Sequence, residues 1–195
     1  MVSTTGTTST TTSSRERSDL LETLAKHRYF FRLTLRDLTD EQAGLRTTAS
    51  ALTLSGLLKH VADTEEGWVV FILGGPDAMS DGKEGNEQEQ EEPAESAGGG
   101  GPQRGGTVDP RFVVPTGVTV AALLERYEHV ARRTDELVGT LDLDADHPLP
   151  QAPWFESGAR WSARRVLLHI IAETSQHAGH ADIIRESLDG AKSMG

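Results

Sequence analysis

Apolar residues recur every three or four positions along four stretches of this chain, at about 15–38, 54–73, 120–141 and 163–188. That spacing places them on one side of an α-helix, whereas half-buried strands would alternate, and no alternating segment of useful length occurs. Amphipathic helices bury their apolar faces against one another. The pattern therefore predicts an all-α fold, an antiparallel four-helix bundle formed by one domain over residues 18–195.

Two segments outside these helices lack the apolar residues of a core. Residues 1–17 are rich in Ser and Thr and contain no apolar run typical of a secretory signal, so we expect a disordered tail. Between Gly74 and Gly117, nine acids oppose three bases, and 11 of the 20 glycines occur there. We expect residues 79–107 to form a flexible, acidic, glycine-rich loop between the second and third helices.

Charge and cysteine content exclude several kinds of function. The net charge of −11 argues against nucleic acid as a partner, because phosphate binding requires a basic surface. The chain has no cysteine, so disulfides, a cysteine nucleophile and a cysteine-based zinc site are excluded, and thiol chemistry requires an external thiol. The longest apolar run, WVVFIL, is too short to cross a membrane. We therefore expect a soluble, cytoplasmic protein.

Polar residues interrupt the apolar side of the fourth stretch. Its central row reads Val166, Ile170, Glu173, His177, Ala181, Ile184 and Leu188, and His180 projects from the same side. A carboxylate buried beside imidazoles costs several kcal/mol unless it is compensated, and a divalent cation shared by residues at i and i+4 compensates it. The residues alone leave a surface Glu173–His177 pair as the alternative.

A metal site with an open position needs about three protein ligands. Among the histidines of the other helices His60 is the best placed, because it flanks the apolar face of the second helix, whereas His27 and His129 lie in more charged surroundings. The arginines near the fourth helix are expected to be solvated, with Arg185 as the candidate for binding an anionic group of a substrate.

Two motifs resemble the DinB-like superfamily: LTLSGLLKHVADTEEGWV and RWSARRVLLHIIAETSQHAGHADIIRE. The resemblance extends over residues 19–195 apart from the acidic loop. It implies an up-down-down-up bundle with a long crossover, often a homodimer, that holds one divalent metal. Many members use three histidines; here Glu173 replaces one of them, which is similar to mycothiol-dependent maleylpyruvate isomerase. Carried over, this implies His60, Glu173 and His177 as metal ligands.

The same resemblance implies a thiol-dependent S-transferase or isomerase. The metal, zinc as the first expectation and nickel, iron or manganese as the alternatives, lowers the pKa of mycothiol or a similar thiol, and the thiolate attacks a small-molecule electrophile. His180 is expected to act as a general acid/base, with a hydrogen-bonding role beside the ligands or alternate ligation as the other readings. A metal-dependent hydrolase and a non-catalytic, stress-related metal-binding scaffold remain the alternative functions.

Overall fold

The structure is a computed structural model, and it describes residues 8–81, 109–153 and 155–193. Five α-helices, one 3-10 helix and two short strands occur in these ranges. In chain order they are α1 (Thr8–Leu33), α2 (Asp40–Ala43), α3 (Leu54–Asp81), the 3-10 helix (Pro110–Phe112), α4 (Val120–Thr140), β1 (Asp146–Pro148), β2 (Arg160–Ser162) and α5 (Ala163–Asp189). None of the described helices has both the length and the apolar composition that crossing a bilayer requires.

Two apolar cores give the directions of the four long helices. One core joins the ends of α1 and α5 to the starts of α3 and α4, around Phe31, Leu57, Tyr127 and Ile184. The other joins the starts of α1 and α5 to the later parts of α3 and α4, around Leu24, Phe71, Val138 and Ile170. α1 and α5 therefore run one way, and α3 and α4 run the other way. This is the predicted up-down-down-up bundle, in which the parallel pair α3 and α4 requires a long crossover.

The ends of the last helix follow local sequence rules. The Ser162 hydroxyl accepts a hydrogen bond from the Arg165 N–H at 3.2 Å, which makes it the N-cap of α5. Gly190 ends the helix at φ 79°, a conformation that favours glycine. Both ends agree with the prediction of a helix preceded by Ser162 and stopped at Gly190.

The first helix differs from its prediction at both ends. α1 begins at Thr8 rather than near Arg15 and ends at Leu33 rather than at Leu38, so its first turns fall in the stretch assigned to the tail. Arg17, in that stretch, is anchored to the bundle, since its guanidinium donates to the carbonyl oxygens of Val138 (2.5 Å) and Leu141 (2.8 Å) at the end of α4. Of the flexible loop predicted at 79–107, residues 79–81 are instead the last residues of α3. Residues 82–107, and the predicted disorder of residues 1–7, lie outside the described residues.

A kink divides α3 where the sequence predicted its end. Gly75 has φ 75° and ψ −165°, which only glycine adopts readily, and Pro76 starts a short second segment that ends at Asp81. His147 of β1 packs against the kink, with Nε2 3.2 Å from the carbonyl oxygen of Ile72. β1 pairs antiparallel with β2, and the pair was not predicted because three-residue strands carry too little periodicity to detect.

Candidate metal centre

Antiparallel packing of α3 on α5 brings His60, Glu173 and His177 together. One ligand atom from each of them lies within 4.8 Å of those of the other two. The imidazoles of His60 and His177 meet edge to face, with ring centroids 4.8 Å apart and an interplanar angle of 84°. Glu173 Oε2 lies 3.6 Å from His177 Nε2, one helical turn away on α5. The structure thus places the three sequence-predicted ligands in a single cluster.

The protonation states of this cluster suit metal binding. His60 is 7% exposed and His177 is 8% exposed. Burial, with smaller contributions from the nearby His177 and Arg111, lowers the pKa of His60 to about 4, so this imidazole is neutral at pH 7. The interaction with His177 lowers the pKa of Glu173, whose carboxylate is therefore ionised. Metal ligation requires neutral imidazoles and an ionised carboxylate.

The donor set fits a divalent transition metal. Two imidazoles and one carboxylate are the ligands that zinc, nickel, iron and manganese accept in proteins. Three protein ligands leave at least one coordination position for water or a substrate atom. The glutamate side chain is also 28% exposed, so the cluster is reachable from solvent on the Glu173 side. The arrangement is therefore typical of a site at which chemistry occurs rather than of a closed structural site.

The end of the crossover covers the α3 side of the cluster. The Phe112 ring of the 3-10 helix lies 4.3 Å from the His60 ring, and its distance from the His177 ring is 5.9 Å. This approach depends on Gly56, because a Cβ there would clash with the Phe112 carbonyl oxygen. Sequence reasoning missed Phe112, and the only signal was an apolar triplet, Phe112 to Val114, after a long polar segment.

His180 contacts the cluster from the outside. Its Nδ1 lies 3.4 Å from Nδ1 of His177, whereas Nε2 of His177 faces Glu173. His180 is therefore placed behind a ligand rather than among the clustered atoms. His169 lies on the opposite side, with its Nε2 3.9 Å from Glu173 Oε1, and burial lowers its pKa. Glu173 and His177 are thus each flanked by one further histidine of α5.

Arg185 lies away from this cluster. It is 8% exposed, and its guanidinium donates to the Asp189 carboxylate (2.9 Å) and to the carbonyl oxygens of Thr34 (3.0 Å) and Arg36 (2.8 Å). These bonds fix the turn after α1 to α5, which gives Arg185 a structural role. The arginine whose charge acts on both His60 and Glu173 is Arg111, in the same 3-10 helix as Phe112.

Comparison with known proteins identifies one match. The model of the mycothiol-S-transferase family matches residues 19–190, a range that contains the four long helices of the bundle from early α1 onward and all three clustered residues. Searches of curated proteins and of solved structures found no match. The family match supports the DinB-like resemblance that the two sequence motifs indicated.

Proposed function

This chain belongs to the mycothiol-S-transferase family, and from that premise we propose that it joins mycothiol, through its sulfur, to a small-molecule electrophile. The observation that carries the proposal is the cluster of His60, Glu173 and His177, which can hold a metal ion in a chain whose family is named for a thiol transfer. The complete absence of cysteine agrees with a nucleophile that arrives from outside the chain.

His60, Glu173 and His177 would hold the divalent ion, for which we propose zinc. Such an ion, when bound, supplies a Lewis acid that lowers the pKa of the thiol, so that thiolate forms near neutral pH. The ionised Glu173 offsets part of the ion's charge, and the neutral His60 offers a lone pair. The Phe112 ring packs on His60 on the α3 side, and the partly exposed Glu173 marks the side open to solvent.

His180 has a geometric role in this proposal. If His177 binds the ion through the Nε2 that faces Glu173, its Nδ1 carries a proton and donates it toward Nδ1 of His180. His180 then fixes the tautomer and the orientation of His177. The general acid/base role expected from the sequence requires instead that His180 reach the thiol proton. A comparison of His180→Gln with His180→Ala separates the two roles, because glutamine restores a hydrogen-bond acceptor but not a base.

The proposed reaction needs neither an oxidant nor a reductant. The thiol loses its proton to solvent or to His180, and sulfur forms the new bond to the electrophilic carbon. With an aryl chloride, chloride departs with the electron pair of the bond that breaks; with an epoxide or an unsaturated ketone, the pair goes to the alkoxide or enolate oxygen, which then takes up a proton. A metal-dependent hydrolase would use the same cluster with water as the nucleophile, so the nucleophile is the point on which the two functions differ.

The experiment compares nucleophiles on metal-loaded protein. An activated aryl chloride such as 1-chloro-2,4-dinitrobenzene is incubated with and without mycothiol, and the thioether and hydrolysis products are quantified. The proposal predicts thioether formation that depends on both mycothiol and metal and that His177→Ala abolishes. Hydrolysis at the same rate without thiol would favour the hydrolase. Metal binding with no turnover across a panel of aryl chlorides, epoxides and unsaturated ketones would favour the scaffold.

The proposed function also has consequences for the cellular compartment and the oligomeric state of the protein. Because the reaction consumes a reduced thiol, we propose that the protein acts in the cytoplasm. We also propose a homodimer, which the superfamily resemblance implies. Light scattering coupled to size-exclusion chromatography tests the dimer by measuring the molar mass in solution against the 21.1 kDa chain.

A further inference from the structure

The outward side of α5 differs from that of α4. A helix side in contact with water usually carries charges, and the exposed positions of α4 do so at Glu125, Glu128, Arg132, Arg133 and Glu136. On α5, every exposed position between Arg165 and Glu186 is uncharged. We call these positions the α5 stripe; they are Leu168, Ala172, Ser175, Gln176, Gly179 and Ile183.

Large apolar side chains form the two ends of the stripe. Leu168 is 47% exposed and Ile183 is 60% exposed, and they lie about 22 Å apart along the helix axis. The middle of the stripe is open, since no atom lies within 4 Å of the place where a Cβ of Gly179 would stand. In a chain with a net charge of −11, two copies repel each other wherever their charged surfaces meet. An uncharged stripe with apolar ends is therefore the kind of surface at which another protein binds.

The order of residues in the stripe is symmetric. Its midpoint lies between Ser175 and Gln176, and Leu168 and Ile183 are equally far from that midpoint. A two-fold axis through the midpoint would place an antiparallel second α5 against the first, so that each residue meets one of similar size. The large residues at the ends would meet each other, and so would the small ones nearer the middle, Ala172 and Gly179.

Opposite charges bound the stripe with the same symmetry. Arg165 and Glu186 are equally far from the midpoint, one at each end. Among the described residues Arg165 forms no ion pair, and the partner of Glu186 is the exposed Lys192 at 3.0 Å. Within one copy Arg165 and Glu186 are about 31 Å apart along the helix, too far to attract each other. In an antiparallel pair of helices they would meet twice, once at each end.

We infer that two copies of this chain associate through the α5 stripe, with their α5 helices antiparallel. Leu168 of each copy packs against Ile183 of the other, Arg165 of each pairs with Glu186 of the other, and the small residues between them let the two helices approach closely. The symmetry of the stripe selects a second copy as the occupant, because an unrelated partner requires no symmetric pattern. The inference rests on the homodimer in the proposed function and names its surface, but it does not depend on the thiol chemistry.

The first test uses the absence of cysteine from this chain. In the proposed dimer Ser175 lies about 1.5 Å along the helix axis from Ser175 of the other copy, whereas Ser187 lies about 34 Å from its counterpart. Both serines are exposed on α5. Under mild oxidation Ser175→Cys should form a disulfide-linked dimer, and Ser187→Cys, the matched control, should not. Non-reducing electrophoresis gives the answer, and equal cross-linking of the two variants would overturn the inference.

The second test reverses the charges at the ends of the stripe. Arg165→Glu and Glu186→Arg each bring like charges together at both ends, and each should weaken the dimer about tenfold. The double variant restores both pairs in the opposite order, so its dissociation constant should return to near the wild-type value. Arg133→Glu is the matched control, because it makes the same change in charge as Arg165→Glu on the outward side of α4. Sedimentation equilibrium measures the dissociation constants.

The contrary results separate the inference from the proposed function. A dimer that the charge reversals do not weaken, and that Ser175→Cys does not trap, would use another surface; it would overturn the inference and leave the homodimer intact. A wild-type chain that stays monomeric at every concentration would overturn both. A double variant as weak as the single ones would show that Arg165 and Glu186 do not meet, which refutes the antiparallel arrangement. A dimer trapped by Ser175→Cys in a protein that forms no thioether would support the inference and refute the proposed transferase.

Discussion

Two glutamates of the four-helix bundle, Glu65 and Glu173, have opposite surroundings. Glu65 of α3 has a side chain that is 0% exposed, and Arg28 of α1 donates to both of its carboxylate oxygens, one of them at 3.1 Å. The Thr134 hydroxyl of α4 adds a third bond at 2.6 Å. Glu173 of α5 is 28% exposed and faces only histidines, at 3.6 and 3.9 Å.

The difference separates a carboxylate that is compensated within the bundle from one that is not. The negative charge of Glu65 is fully compensated by other residues of the bundle. Arg28 also donates a hydrogen bond to the Asp135 carboxylate at 2.8 Å, so its positive charge is shared between two carboxylates. Glu173 has no arginine or lysine within ion-pair distance among the described residues, and burial keeps the neighbouring His60 neutral. The charge missing at Glu173 is the charge that a divalent ion provides. The comparison therefore predicts opposite consequences for removing the two side chains.

The largest expected effect is the loss of the Glu65 pair. Arg28→Ala leaves the buried Glu65 charge without its cation and should lower the free energy of unfolding by about 3–5 kcal/mol. Glu65→Ala leaves Arg28 with Asp135 as its remaining carboxylate, so its cost should lie toward the lower end of that range. In the metal-free protein Glu173→Leu should cost nothing or increase stability, because it completes the apolar row of α5. Urea unfolding in the presence of a chelator measures all three variants. A Glu173→Leu variant as unstable as Glu65→Ala would show that Glu173 has structural partners and would end the comparison.

The second effect is the stabilisation that metal gives. At a free zinc concentration a hundredfold above its Kd, a bound ion should add about 2.7 kcal/mol to the wild-type free energy of unfolding. His60→Ala, Glu173→Leu and His177→Ala should lose this increment, because each removes one of the clustered ligands. His180→Ala should keep most of it. Thermal unfolding with and without zinc gives the comparison, and metal content per chain checks it. If His60→Ala kept the normal stabilisation by zinc and His180→Ala lost it, the metal ligand would be His180 rather than His60.

The third effect is a pH dependence carried by His60. Its pKa is lowered from 6.5 in the unfolded chain to about 4, so the unfolded state binds the extra proton first, and stability falls as pH falls through this window. Between pH 7.5 and pH 5 the metal-free protein should lose about 2 kcal/mol from this residue. Urea unfolding of metal-free wild type and His60→Gln across this range measures it. The loss of stability on acidification should be smaller in His60→Gln than in wild type. An equal loss in both proteins would mean that other titrating groups cause it.

The sequence was sufficient for features that local rules determine. The apolar periodicity predicted the four long helices, and the cap residues Ser162 and Gly190 predicted the ends of α5 because capping depends on a few adjacent residues. The polar interruption at Glu173 and His177 predicted two members of the cluster. The third, His60, needed the motif resemblance as well, because its position against α5 depends on how two helices pack.

The sequence was insufficient where a partner comes from a distant part of the chain. Glu65 follows Val61 and precedes Trp68 on the apolar side of α3, just as Glu173 lies between Ile170 and His177 on the apolar side of α5. Only the packing of α1 against α3 reveals that Arg28 compensates it. Phe112 was missed for the same reason, since nothing local to the crossover predicts its contact with His60. The position of a carboxylate on an apolar helix face is thus readable from sequence, but its degree of burial and its compensation are not.

The smallest expected effect compares a buried arginine with an exposed one. Arg126 of α4 bridges to Asp63 and to Glu66 (2.5 Å), much as Arg28 bridges α1 to α3, but all three side chains are 37–40% exposed. Solvent screens these pairs, and when the arginine is removed Glu66 returns to water while Asp63 keeps its pair with Lys59 at 2.8 Å. Arg126→Ala should therefore lower the free energy of unfolding by less than about 1 kcal/mol, against several for Arg28→Ala. Urea unfolding at low and at 1 M salt measures the difference, and added salt should reduce the Arg126 effect while leaving the Arg28 effect nearly unchanged. Equal losses for the two arginines would mean that the number of ion-pair contacts, rather than burial, sets the stability of this bundle, and the contrast between Glu65 and Glu173 would then need another physical basis.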